Sequence, residues 1–280
     1  MGYVIINVDD FGLNPAVNRA VFDLGGNGKI SSTTILANSV YMDEAKNLKL
    51  VGVGVHLNLL RGKPLSSPDD IKSLVDEKGL LLGDYGILYK KYLMNKIKPD
   101  HVKKEWSKQI EKIMDLGIKP THFDSEKHIH TWPRLMRIAI DLAEKYSVRW
   151  IRRAREKTGF FRYDIGAVRT RFLNFNCIFH KKSNIVGWPD YVWGIADQSD
   201  KLLPDLFVKY YKGLKNKDNH IIEIVCHPGN PQGSDPGIPE EFGNIRISKQ
   251  WKIEYDSLNN YNWQETFNKL NLKLVNYGNL

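Results

Sequence analysis

The chain has 280 residues, 42% of them hydrophobic and 26% charged. That composition excludes a disordered chain, and a fold of this length buries roughly 75% of the surface its unfolded chain exposes, with no need of disulfides or structural metal. Lys and Arg outnumber Asp and Glu by 41 to 32, a net charge of +9 that suits phosphorylated glycans or anionic surfaces.

The basic residues are scattered, with their densest groups at Lys90-Lys91, Lys103-Lys104, Arg152-Arg153-Arg155 and Lys181-Lys182. A nucleic-acid partner is therefore not expected. Cys177 and Cys226 form no metal-ligand spacing and suit a reducing, cytoplasmic compartment. The N-terminus enters Tyr3-Val4-Ile5-Ile6 directly and shows no secretory signal. No apolar run approaches the ~18 residues of a membrane span.

In chain order, Tyr3 to Val8 reads as a buried strand with a polar tip, Asp9-Asp10-Phe11-Gly12. Pro15 opens a helix with Val17, Ala20, Val21 and Leu24 on its apolar face, and Gly25-Gly26 and Gly28 stop it. Thr33 to Ala37 and Val51 to Leu59 are the next strands, the latter with Val51, Val53 and Val55 on one face and His56 on the other. Residues 66–100 are polar and irregular, an expected insertion or lid with short helical pieces. Val102, Trp106, Ile110, Ile113 and Met114 mark a long amphipathic helix ending at Gly117. Residues 118–130 read as a strand, Pro133 begins a helix, and Val148 to Ile151 is a further strand. Residues 157–219 are expected to form an edge or rim, with a helix over Leu202 to Leu214. Ile221 to Val225 is an apolar strand leading to Cys226-His227-Pro228-Gly229. A Gly- and Pro-rich loop to about Asn244, a helix and a last strand near Leu272 to Val275 complete the chain.

Strands alternating with helices predict a parallel α/β sheet. Polar clusters end four well-spaced strands: Asp9-Asp10, His56, Asp124 to His130, and His227. An open doubly wound sheet also places ligands at strand ends, but four such clusters favour a single-domain, TIM-barrel-like (β/α) barrel.

Asp9-Asp10 is either a helix-capping turn or a pair of repelling carboxylates, one holding a cation and the other a proton. His122, Asp124, Glu126, His128 and His130 share one face if the segment stays extended. Burying that set unpaired is costly, which points to metal or catalytic use over a solvated edge strand. His56 and His227 each read alone as satisfied structural histidines, although His227 sits on a tight loop where side chains act. Taken together, a carboxylate and two imidazoles from separate strands suit a divalent ion with open positions. No GxSxG, Walker A or GxGxxG motif is present.

Asp9-Asp10-Phe11-Gly12-Leu13, Gly54-Val55-His56-Leu57, His122-x-Asp124-Ser125-x-x-His128-x-His130 and Cys226-His227-Pro228-Gly229 resemble, in order and spacing, the YdjC-like carbohydrate deacetylases. That group includes chitooligosaccharide deacetylases and hopanoid-associated deacetylase-like proteins. The resemblance covers residues 3–156 and 220–256. It implies a distorted (β/α) barrel and metal-dependent hydrolysis of N-acetyl groups on amino sugars. By motif it implies Asp10, His56 and His128 as ligands of one divalent ion, magnesium or zinc, with Asp9 as general base and His227 as general acid. Arg152 is expected at the substrate. Glu126 stands where the family usually has His, placing a carboxylate beside the metal and the substrate.

Trp132, Trp150, Trp188 and Trp193 are candidate sugar platforms, Trp132 foremost because it follows the metal motif. Two other functions are weighed. One is a phosphoesterase or amidohydrolase with a second metal at Asp124, Glu126 and His130. The other is a catalytically inactive glycan-binding homologue. A homodimer through outer helices is expected.

Overall fold

The computed structural model describes residues 1–49, 51–181, 183–214, 219–243 and 246–280. Lys182 of the Lys181-Lys182 pair, and Asn244 at the expected end of the loop, lie outside the described residues. Strands β1 (Gly2–Phe11), β2 (Ser32–Ile35), β3 (Gly52–Leu57), β4 (His122–Ser125), β5 (Trp150–Ile151), β6 (Tyr191–Trp193), β7 (Ile221–Cys226) and β8 (Leu272–Leu274) form one parallel sheet. Its order is β5-β4-β3-β2-β1-β7-β6, with β8 on the N-terminal half of β1.

The two ends of that path meet. Ile151 N–H donates to the Gly187 carbonyl (3.0 Å), Gly187 N–H to Arg149 (2.8 Å) and Val192 N–H to Arg155 (2.9 Å). A parallel bridge between Trp150 and Gly187 completes the seam. The result is the expected single-domain distorted (β/α) barrel, whose closure between β5 and β6 is irregular.

Helices clothe the outside. Helix α1 (Pro15–Gly26) starts where Asn14 accepts from Ala16 N–H and Pro15 presets the first turn. Helices α3 (Pro99–Met114) and α4 (Pro133–Lys145) follow the predicted apolar stripes, burying Val102, Trp106, Ile110 and Ile113, and Leu135, Ile138, Ala139 and Leu142. Between β3 and α3, α2 (Tyr85–Leu93) packs on α4's entry: Tyr85, Tyr89 and Tyr92 surround Trp132. Residues 157–219 contribute α5 (Ile165–Ile178), β6 and α6 (Pro204–Lys212). The single C-terminal helix expected from sequence is two, α7 (Trp251–Asn260) and α8 (Trp263–Lys269), because Asn262 caps a new helix at Glu265 N–H. No helix among the described residues is long and apolar enough to cross a membrane.

Strand alternation sorts the core into two layers. Val4, Ile6, Val8, Val53, Val55, Leu57, Phe123, Ile222 and Ile224 join the apolar cluster under the helices. The intervening positions Asn7, Asp9, His56, His122, Asp124 and Glu223 are equally buried but polar. Gly54 has no side chain for a packing reason: a Cβ there would lie 2.5 Å from the His122 ring. The barrel interior is therefore a hydrogen-bonded polar column.

Candidate active site

Two adjacent residues of a regular strand face opposite sides, yet Asp9 and Asp10 both reach the site. The register explains this. Val8 pairs with Thr33 and Phe11 with Ile35, so β1 spends three steps where β2 spends two, and the bulge falls on Asp9-Asp10. Asp10 adopts φ +69°, a left-handed conformation that Asp tolerates better than most residues.

Asp9 is tied on every side. Its oxygens accept from Arg152 Nη1 and Nη2 at 2.7 Å each, and Oδ1 also accepts from the Asn7 amide at 2.8 Å. Asn7 in turn faces His122 Nε2 at 3.0 Å, and the His122 ring stacks on Tyr277 at 4.0 Å. Burial works against the Asp9 carboxylate, but the Arg152 guanidinium prevails and holds it well below the usual range. Arg152 also contacts Asp124 (2.9 Å) and Glu223 (2.6 Å). One cation thus serves three buried carboxylates, and burial leaves Asp124 and Glu223 raised despite it.

Asp124 Oδ1 lies 2.8 Å from His56 Nδ1, and Thr34 donates to Asp124 Oδ2 at 2.9 Å. This fixes the His56 ring and aims Nε2 at Asp10 Oδ1, 3.3 Å away. Burial opposes protonation of His56, yet Asp124 and the other carboxylates raise its pKa well above the ordinary value. Asp10 shows the complementary effect: burial, with Glu126, Asp9 and Asp124 nearby, pushes it up to about 7 against the pull of His56. Three carboxylates sharing one imidazole is an electrostatic surplus that a cation relieves.

The expected extended run through residue 130 is overturned. Strand β4 stops at Ser125, and a 3₁₀ turn spans Glu126–Thr131 with Lys127 (φ 53°) and His128 (φ 55°) left-handed. His122 and Asp124 face the interior as alternation requires, but the later residues diverge. His130 turns back: Nδ1 pairs with the Ser125 hydroxyl and Nε2 with the Arg152 carbonyl at 2.7 Å. Its donors are spent on fixing the turn, which removes the second metal site sketched at Asp124, Glu126 and His130. His128 is 7% exposed, and its Nδ1 is buried with no hydrogen-bond partner. Burial and the Arg152 charge hold His128 neutral, well below the ordinary pKa.

Glu126 Oε2 approaches His56 Nε2 at 3.9 Å, while Oε1 accepts from Arg61 Nε at 3.2 Å. Arg61 also donates to the Phe242 carbonyl at 2.9 Å. Burial disfavours the Glu126 carboxylate, but His56, then Lys127 and Arg61, bring it down to about 2. Among the described residues, two groups have donor atoms within 4.8 Å of one another: Asp9, His56 and Asp124, and Asp10, His56 and Glu126. The first is already filled by the Arg152 guanidinium. The second contains Asp10 Oδ1, a buried oxygen with no hydrogen-bond partner.

His227 closes the far side, with Nε2 3.8 Å from Asp9 Oδ2. Its backbone N–H is held by Glu254, while its buried Nδ1 has no partner. Burial lowers its pKa to about 4. Two substrate assignments need correction. Arg152 is 0% exposed and lies beneath the carboxylates, and Trp132 is 1% exposed inside the Tyr85-Tyr89-Tyr92 cluster. Sequence reasoning missed Asn7, Arg61, Glu223 and Glu254. A signal existed for Glu223, a charged residue inside the apolar run Ile221 to Val225.

Residues 3–269 match the family model for YdjC-like protein. The chain belongs to the YdjC-like family. Similar relatives include the carbohydrate deacetylase of Clostridium beijerinckii, 28% identical over 98% of both chains. That of Halalkalibacterium halodurans is 30% identical over 80% of this chain and 84% of its own. That of Thermoanaerobacter pseudethanolicus is 36% identical over 53% of this chain and 59% of its own. A crystal structure described as a cellobiose-phosphate cleavage protein, from Enterococcus faecalis V583, has the same fold. Its TM-score is 0.69, at 24% identity over 99% of this chain and 98% of that one.

Proposed function

We propose that this YdjC-like chain is a metal-dependent hydrolase that removes N-acetyl groups from an amino sugar or oligosaccharide, cleaving a linear amide C–N bond. The observation that carries the reading is the juxtaposition of two differently conditioned carboxylates. Asp9 is held ionised by Arg152, and Asp10 is left without a hydrogen-bond partner opposite His56. The relatives' name, carbohydrate deacetylase, supplies the substrate class.

Asp10, His56 and His128 are assigned to one divalent ion, magnesium or zinc. Asp10 and His56 fit such an ion, with donor atoms in one group within 4.8 Å, whereas His128 stands outside that group. Asp10 Oδ1 and His128 Nδ1 are buried and unpartnered, and Asp124 orients His56. When bound there, the ion supplies Lewis acidity to the acetamide carbonyl and acidifies water.

The remaining chemistry belongs to the chain's own side chains. Asp9 takes a proton from the attacking water. His227, neutral at rest because burial lowers its pKa to about 4, receives that proton on Nε2 and gives it to the leaving nitrogen as the C–N bond breaks, yielding acetate and a free amine. The 3.8 Å separation of Asp9 Oδ2 from His227 Nε2 is the path for that transfer, and both groups end the cycle in the state in which they began it. Arg152 acts as a positioning residue for Asp9.

Acetate release from N-acetylglucosamine oligosaccharides and from nucleotide- or lipid-linked amino sugars tests the reading. Release is expected to require the metal and to fall on the order of 10²–10⁴-fold in Asp9→Asn. Undiminished turnover in Asp9→Asn overturns it. We assign the protein to the cytoplasm, supported by two buried free thiols, Cys177 and Cys226. We also propose a homodimer. Phe160, Phe161, Ile165 and Ile178 stand between 73% and 84% exposed, apolar side chains on and before α5 that a second copy of the chain would cover.

A further inference from the structure

We propose that Glu126 is itself a ligand of the divalent ion, so that in this chain two carboxylates, Asp10 and Glu126, flank His56 at the metal. The inference rests on the metal-dependent reading above and adds to it a donor that the sequence motif does not supply.

The argument begins with how Glu126 is held. Arg61 binds only one of its oxygens: Nε meets Oε1 at 3.2 Å, and Nη1 is committed to the Phe242 carbonyl. A guanidinium that neutralises a carboxylate for stability alone commonly takes both oxygens in a fork. Here the second oxygen, Oε2, is directed to His56 Nε2 at 3.9 Å, the nitrogen that Asp10 Oδ1 also faces at 3.3 Å. The three donor atoms lie within 4.8 Å of one another.

Asp10 Oδ1 is the independent observation. It is a buried carboxylate oxygen, with its residue 6% exposed, and it has no hydrogen-bond partner. His56 Nε2 lies at ion-pair distance from it but makes no hydrogen bond, and a divalent ion between this oxygen and the neighbouring donors supplies the missing partner. The other acidic grouping gives the contrast. At Asp9 and Asp124 the Arg152 guanidinium occupies the space between the carboxylates, so no ion is needed there.

The backbone explains why residue 126 arrives at this point. Strand β4 ends at Ser125, and the left-handed steps at Lys127 and His128 fold the chain over the strand end. Glu126 is thereby kept beside Asp10 and His56. Two carboxylates and imidazole neutralise a divalent ion fully and form an oxygen-rich set, favouring Mg²⁺ or Mn²⁺ over Zn²⁺ relative to a site with His at 126.

The test is metal binding by metal-stripped protein, read by calorimetry with Mn²⁺ and with Zn²⁺ and by the Mn²⁺ paramagnetic resonance spectrum. Wild type, Glu126→Gln, Glu126→His and His128→Ala are compared, with thermal melting as the folding control. Glu126→Gln is expected to weaken Mn²⁺ binding by at least about tenfold, since even residues that only orient ligands cost about that much. Glu126→His is expected to move the Mn²⁺-to-Zn²⁺ affinity ratio toward Zn²⁺, and it serves if Glu126→Gln does not fold. Wild-type binding with an unchanged affinity and ratio in both Glu126 variants overturns the inference and leaves the deacetylase reading standing. Absence of binding by wild type overturns both.

Discussion

Replacing Arg152 by Met is the sharpest perturbation the structure offers. The side chain is fully buried and carries ion pairs to Asp9 (2.7 Å), Asp124 (2.9 Å) and Glu223 (2.6 Å). Removing one partner of a buried pair costs about 3–5 kcal/mol, because the charge left behind has neither water nor a counter-ion. At roughly 2–4 °C per kcal/mol for a chain near this size, Tm should fall by roughly 6–20 °C. The loss also has a predicted pH dependence. In the wild type, Asp9 has a folded pKa below its unfolded 3.8. Its contribution is therefore present above that value and is lost only as pH falls through the folded pKa. In the variant, burial without the cation raises the Asp9 pKa, and stability is lost as pH rises. The gap between the two proteins should widen from about pH 5 to about pH 8. Urea unfolding of metal-stripped protein, followed by tryptophan fluorescence at both pH values, measures it. A loss below about 1 kcal/mol, the scale of an exposed pair, or an equal loss at both pH values, would refute the reasoning.

Asp124→Asn keeps the shape but removes the charge that fixes His56. Metal affinity is expected to drop on the order of 10–100-fold with the fold retained, and equilibrium dialysis against Mn²⁺ checks it. Ile165→Asp places a charge on the exposed apolar segment containing Phe160, Phe161 and Ile178. Light scattering should report a dimer for the wild type and a monomer for the variant; a wild-type monomer refutes the proposed homodimer.

The fold was largely readable because its strands are short apolar runs that end in charges. Tyr3 to Val8, Val51 to Leu59 and Ile221 to Val225 needed only period and composition, although the second is shorter in the structure, Gly52–Leu57. The candidate site was readable as a set of residues but not as an arrangement. Strict alternation would have aligned His122 through His130, but no Gly or Pro announces the left-handed pair Lys127-His128. Arg152 was obscured by its neighbours. Arg152-Arg153-Arg155 looks like a basic surface patch, and the partners that bury its first member, Asp9 and Glu223, lie 143 and 71 residues away in sequence. Such long-range pairing leaves no local signature. Glu126 carried a hint, being an acidic residue among histidines, but only the Arg61 contact shows which of its oxygens faces the site.

The bulge at the end of β1 has a dynamic consequence. His56, Glu126 and His227 come from three different segments, so thermal motion of the barrel changes their separations independently. Asp9 and Asp10 are consecutive residues, and a trans peptide fixes their Cα atoms about 3.8 Å apart whatever the sheet does. One inserted step therefore brings two carboxylates of opposite electrostatic character to the same site from a single stretch of backbone. Any displacement of β1 carries both backbones at once, so the spacing of their Cα atoms is protected by covalent geometry, while the placement of the carboxylates themselves rests on the contacts that hold each side chain, for Asp9 those to Arg152 and Asn7.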